Sequence, residues 1–196
     1  MGAGMKRAQK REHLIEVATK LFNRCGYHAS GIDRVIAESG IAKTTLYRHF
    51  PSKEDLIVAV LKRIDAQYRE DMRQGVDSLA RDARGRLLAT FDVLEDWFRG
   101  NTFYGCPFMS AASEYNERNS PVFQEVVLHK RLMIAYFEEL AHAAGLDDPA
   151  RIGEEINLLH EGATAVAQVS KDPGTARKAK AMAARLIDGT VGIAQN

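Results

Sequence analysis

Gly26-Tyr27-His28-Ala29-Ser30-Gly31-Ile32-Asp33-Arg34-Val35-Ile36-Ala37-Glu38-Ser39-Gly40-Ile41-Ala42-Lys43-Thr44-Thr45-Leu46-Tyr47-Arg48-His49-Phe50-Pro51-Ser52-Lys53-Glu54-Asp55 is the stretch that decides the fold of this 196-residue chain. Ile32, Val35 and Ile36 recur at helical spacing. Ser39-Gly40 then supplies a stop at which glycine takes a positive φ, and a second helix begins near Ala42. Two short helices therefore meet across a tight turn. In the second, Ala42, Leu46 and Phe50 share one face at i, i+4 and i+8 and must pack inward. Lys43, Thr44, Tyr47 and Arg48 take the opposite side, with Thr45 and His49 flanking. No acid occurs from Lys43 to Lys53, whereas a merely solvated helix mixes both signs. A helix of this size fits a major groove roughly 12 Å wide, and its hydroxyl, ammonium, guanidinium and phenol groups suit base edges and phosphates.

The pattern resembles the DNA-binding domain of the TetR family of transcriptional regulators. The residues that carry the resemblance are Gly26-Tyr27, Ser30, Gly40, Thr45-Leu46-Tyr47, Arg48, His49-Phe50 and Ser52-Lys53, in order and at the family's spacing over the first third of the chain. Two positions depart from the pattern. Ala42 stands where the family usually has Ser, so the second helix lacks a side-chain N-cap typically worth ~1 kcal/mol. Ile36 stands where a small Ala is common, which implies a different packing between the two helices. The resemblance implies DNA contacts from Ser30, Arg34, Lys43, Thr44, Thr45, Tyr47, Arg48, His49 and Lys53, with Ser30, His49 and Lys53 on phosphate.

Charge is distributed unevenly. The whole chain is nearly neutral at +1, but residues 1–53 hold ten Lys or Arg against four acids, a net of +6, leaving −5 for the remainder. An electropositive end on an acidic body directs that end to phosphate. Cys25 and Cys106 are the two cysteines, without metal-ligand spacing or a disulfide framework. Each reads as a buried thiol, with a redox role for Cys106 as the lesser reading. The apolar runs fall far short of the ~20 residues of a membrane-crossing helix, and the opening residues lack an apolar signal core. The expectation is a cytoplasmic protein.

Helical periodicity continues to the end, predicting an all-α chain. A first helix spans roughly 6–25. Ser52-Lys53-Glu54-Asp55 has the form of a capping box opening a fourth helix that runs to about Met72. Further helices are expected near 77–99, 107–115, 121–144, 149–170 and 173–193. Ser120-Pro121, Asp148-Pro149 and Asp172-Pro173 each place an N-cap residue before proline. Two domains follow: 1–52 as a three-helix helix-turn-helix unit, and 53–196 as a helical ligand-binding and dimerisation domain with the fourth helix as connector.

The last two helices carry stripes of small and branched residues, and the resemblance implies a dimer interface there. The expected interface residues are Ile156, Ala163, Val166, Ala179, Ala183 and Leu186. A two-fold DNA reader needs two recognition helices about 34 Å apart. Most of the aromatics fall in the middle of the chain, where an apolar small-molecule site is expected from Phe91, Trp97, Phe98, Phe108, Met109, Tyr115, Phe137, His160 and Thr164. Taken singly, each is more often core.

His160-Glu161 lacks the second histidine a zincin needs, since position 164 is Thr. No nucleophile elbow, phosphate loop or dinucleotide fingerprint occurs. The expectation is therefore no enzyme, no metal and no cofactor. The leading reading is a homodimeric regulator, most often a repressor in the family, that binds a palindromic operator in double-stranded DNA and is released by a small-molecule effector. The alternatives are a helical small-molecule-binding protein or enzyme without DNA function, and a constitutive DNA-binding protein with a filled core.

Overall fold

The computed structural model describes residues 6–191, and these form helices joined by short turns. They are α1 (Arg7–Cys25), α2 (Ile32–Ser39), α3 (Lys43–His49), α4 (Lys53–Leu79), α5 (Ala83–Arg99), α6 (Pro107–Glu114), α7 (Pro121–Ala143), α8 (Pro149–Ser170) and α9 (Thr175–Val191). No strand occurs among the described residues. Two compact units are distinguished. The first comprises the chain up to Ala66 together with Pro107–Leu128; the second comprises Gln67–Cys106 and the chain from His129 onward. Helices α4 and α7 contribute to both.

In the first unit α1, α2 and α3 pack on one another. Leu14, Ile15, Ala18, Leu21 and Phe22 supply the buried face of α1, Val35 that of α2 and Leu46 that of α3. Burying a Leu, Ile or Phe side chain contributes about 1.5–3 kcal/mol. That outweighs a missing cap. Ala42 is indeed the N-cap of α3 and provides no side-chain hydrogen bond. Gly40 closes α2 with φ 65°, the left-handed conformation that lets the chain reverse within the few residues before α3. Helix α4 opens as expected: the Asp55 N–H donates to the Ser52 hydroxyl at 3.0 Å and the Ser52 N–H to the Asp55 carboxylate at 2.9 Å.

In the second unit α5, α8 and α9 pack mutually, with Phe91, Leu94, Phe137, Ile152, Ile156, Ala176 and Ala183 in one buried cluster. A Cβ on Gly153 would lie 2.9 Å from the backbone nitrogen of Glu138, so α7 and α8 approach almost backbone to backbone. Ion pairs fasten α5 to α9. Buried Glu95 lies 2.5 Å from Arg99 and 2.8 Å from Arg177, and Asp92 lies 2.5 Å from Lys180.

Several boundaries differ from expectation for local reasons. Helix α4 continues to Leu79, and α5 starts afresh at Ala83 because the Asp82 carboxylate accepts the Gly85 N–H at 2.7 Å. Asp148 caps α8 by accepting from Arg151 N–H. The Ser120 hydroxyl, by contrast, is buried without a hydrogen-bond partner, so it does not cap α7. Asp172 instead accepts the Gly174 N–H in a turn, which delays α9 to Thr175. The expected end of that helix at 193 lies outside the described residues.

Candidate nucleic-acid interface

Helix α3 is anchored by two buried residues, Leu46 and Phe50, four apart on its inner side. This anchoring fixes which side chains face outward. Lys43, Thr44, Tyr47 and Arg48 are exposed, Tyr47 by 41%, while Thr45 and His49 are half-buried at the flanks. Arg34 is exposed on α2, where its guanidinium lies 3.2 Å from Glu38. The Lys43 ammonium lies 3.0 Å from the Asp33 carboxylate, which holds the lysine's pKa above its usual value through a hydrogen bond and opposite charge.

Lys53 is half-buried and donates to the His28 carbonyl at 3.2 Å. Burial pushes its pKa down against the opposing pull of Glu114. Ser30 is placed differently from expectation. It is fully buried, its hydroxyl directed at the Leu21 carbonyl 3.4 Å away, so it braces the α1–α2 connection and presents nothing to phosphate. Gly31, one residue later, is the N-cap of α2.

Arg7, Lys10 and Arg11 of α1 lie outside the expected set of DNA contacts. The pKa of His49 is lowered first by burial and then by the like charge of Arg7, Arg11, Arg48 and Lys10. The Arg11 guanidinium also sits over the Phe50 ring at 5.2 Å. The result is a cationic cluster bridging α1 and the end of α3. The i, i+3, i+4 spacing of Arg7, Lys10 and Arg11 was the available signal.

The expected small-molecule residues divide between the units. Phe108, Met109 and Tyr115 belong to the first, where Phe108 is buried and Met109 is 53% exposed. Phe91, Trp97, Phe98, Phe137, His160 and Thr164 belong to the second. There the His160 ring is packed between Phe91 and Phe137, with centroids at 4.3 and 4.7 Å. The Thr90 hydroxyl gives its proton to the Leu87 carbonyl at 2.7 Å, so His160 Nε2, 3.0 Å away, is the donor to Thr90. Thr164 donates to the His160 carbonyl at 2.8 Å. Enclosure lowers the His160 pKa to about 3, so the ring is neutral. Among the described residues no group of three or more His, Cys, Asp or Glu is placed to hold a metal ion.

Trp97 lies in an aromatic group that sequence reasoning did not assemble. It meets Tyr68 at 5.6 Å and Phe103 at 4.9 Å, and Tyr68 meets His129 at 6.0 Å. Lys130 lies 2.5 Å from Glu161 and 3.6 Å from the Cys106 sulfur.

The expected dimer residues are also corrected in part. Ile156, Ala163, Ala179 and Ala183 are buried within the protomer, where α8 packs on α9, and Leu186 is half-buried against the same cluster. Small residues here serve the close approach of two helices of one chain. Val166 does face outward, and Leu158, Gly162, Ala165 and Val169 are exposed on the same helix, as is Met182 on α9.

Residues 14–60 match the family model for bacterial regulatory proteins of the TetR family. The transcriptional regulator YjdC of Escherichia coli is 26% identical over 153 residues, covering 78% of this chain and 80% of that protein. The transcriptional activator FasR of Mycolicibacterium smegmatis is 35% identical over 96 residues, covering 49% of this chain and 43% of the relative. The crystal structure of SCO4454, a TetR-family regulator from Streptomyces coelicolor, superposes with a TM-score of 0.85 at 29% identity, covering 93% of this chain and 96% of that one. These relatives are all named as transcriptional regulators. Residues 14–60 thus form the helix-turn-helix DNA-binding domain of TetR-family transcriptional regulators, and the chain is similar to a regulator of that family along nearly its whole length.

Proposed function

We propose that the protein is a homodimeric repressor that binds a palindromic operator through α3 of each protomer and releases it when a small molecule binds. The observation that carries this reading is the outward face of α3, where Lys43, Thr44, Tyr47 and Arg48 are exposed together beside the Arg7, Lys10, Arg11 cluster. Residues 1–52 form the DNA-reading domain in this reading and 53–196 the effector and dimerisation domain. Operator DNA is the partner, so the protein acts in the cytoplasm; no helix among the described residues is long and apolar enough to cross a membrane.

The dimer reading rests on the outer face of α8. Leu158, Val166 and Val169 are 70, 54 and 86% exposed, and Gly162 and Ala165 lie between them. Such a stripe is costly to leave in water and is suited to close helix packing across a two-fold axis. One relative, FasR, is named as an activator, so repression is distinguished by position: a repressor's operator overlaps the promoter it silences.

The effector reading rests on the half-buried wall of Tyr68, Trp97 and Phe103 beside the Lys130–Glu161 pair, an apolar surface with a few polar groups. Trp97 is the single tryptophan. The test is to select an operator from a randomised duplex pool and then titrate apolar and aromatic compounds while following Trp97 emission and operator anisotropy together. Coupling requires both signals to move over one concentration range. An operator bound with unchanged affinity at saturating levels of every compound that shifts Trp97 refutes the effector arm and leaves DNA binding standing.

A further inference from the structure

We infer that Asp33 is a specificity-determining residue of the DNA-reading surface, acting with Lys43 as one donor–acceptor pair that reads a G·C base pair in the major groove. The inference rests on the DNA-docking reading above. Its starting point is an apparent conflict. An acid on the DNA-facing side of a helix-turn-helix repels phosphate, yet Asp33 is 85% exposed in the first turn of α2, beside the start of the recognition helix.

Lys43 resolves it. Its side chain is 59% exposed and its ammonium lies 3.0 Å from Asp33 Oδ1, at the first position of α3, the end of a recognition helix that meets base edges. The pair thus presents a cation donor and a carboxylate acceptor side by side. In the major groove a G·C pair presents the complement: the guanine O6 and N7 acceptors next to the cytosine N4 donor. Lysine donates to the former and aspartate accepts from the latter. An A·T pair also offers an amino group, adenine N6, but only N7 beside it, so Lys43 keeps one acceptor there where guanine gives it two; against phosphate Asp33 has nothing to accept from and keeps Lys43 from settling. The pair therefore gains on the right base pair and loses elsewhere, which is how specificity is built from a repulsive element.

The shortness of α3 makes the arrangement matter. With Leu46 buried and Thr45 half-buried, few of its side chains are free to face bases, so the state of Lys43 weighs heavily.

The test is selection from a randomised duplex pool with the full-length protein, its Asp33→Ala, Asp33→Glu and Lys43→Ala variants, and salt-dependent binding to a random-sequence duplex. Asp33→Ala should make one G·C position of each half-site degenerate, lowering discrimination there roughly ten-fold, within the range of a base contact. The same variant should bind the random duplex more tightly, with a salt slope steeper by ~1 because Lys43 now meets phosphate. Asp33→Glu should restore the preference. Lys43→Ala should lose it at the same position while weakening random binding. If Asp33→Ala leaves every selected position and the random-duplex affinity as in the parent, Asp33 has no role in reading. If the parent itself enriches no sequence, the operator reading fails and this inference falls with it.

Discussion

The Glu114 carboxylate, at the end of α6, accepts hydrogen bonds from the backbone amides of both Tyr27, at 2.9 Å, and His28 in the α1–α2 connection. The contact is reinforced from the other side. His28 Nε2 donates to the Glu114 carbonyl at 2.8 Å, and its ring stacks on Tyr115 at 4.6 Å. The Tyr27 hydroxyl donates to the Pro107 carbonyl at 3.0 Å, so both ends of α6 are bound to this connection. An eight-residue helix without a long apolar face depends on such ties.

Glu114→Ala should therefore destabilise the first unit. It removes a charged acceptor shared by two amides, and hydrogen bonds to charged groups contribute about 1.5–3 kcal/mol each. Urea denaturation should show a loss of about 2 kcal/mol or more, with Glu114→Gln intermediate because the amide oxygen still accepts. A variant as stable as the parent would mean that these amides find water at no cost.

Dimerisation gives a prediction that separates the inner and outer faces of α8. Leu158→Glu or Val169→Arg places a charge on the outer face and should yield a folded monomer by sedimentation at low micromolar concentration. Ala163→Arg and Ala183→Glu put a charge into the protomer's own core and should unfold the chain, since an unpaired buried charge costs several kcal/mol. Gly162→Ala discriminates further. An added Cβ meets nothing within 4 Å in the protomer, so the helix itself gains up to ~1 kcal/mol. Any loss of dimer affinity must then come from the partner.

What was legible in the chain follows from how local each cause is. Helices α2 and α3 were readable because Gly40 and the Leu46–Phe50 spacing act within one turn. The role of Ser30 was not, since its hydroxyl is satisfied by Leu21, a contact set by the angle between α1 and α2. Periodicity found the stripes of α8 and α9 but could not say which stripe faces a sister helix and which faces outward; Ala163 and Val169 look alike until α9 is placed. Lys130 and Glu161 are 31 residues apart, beyond any local pattern, so their pairing was invisible.

His160 predicts a pH dependence of folding. Its pKa is about 3 in the folded chain against an ordinary 6.5, so the unfolded chain binds the extra proton between these values. The neutral ring's contribution is fully present above pH 6.5 and is lost as pH falls toward 3. The effect amounts to about 1.4 kcal/mol per pH unit well below 6.5. His160→Gln, measured by denaturation from pH 7 to 5, should lower stability at neutral pH yet flatten the slope. An unchanged slope would show that the ring is not enclosed in solution.

His49 makes the opposite demand on DNA binding. In the free protein its pKa is held below 6.5 by burial and by Arg7, Arg11, Arg48 and Lys10. A phosphate entering this cluster compensates those cations and favours the charged ring, so binding takes up protons. Operator affinity should therefore rise as pH falls from 7.5 toward 6, and His49→Gln should remove that dependence while leaving the folded chain's thermal stability nearly unchanged. Lys53→Ala serves as the reference. Its loss should weaken selected and random duplexes about equally and lower the salt slope by ~1, with no change in pH dependence. A parent protein whose operator affinity is flat across this range, with Lys53→Ala equally flat, would place His49 away from the phosphates.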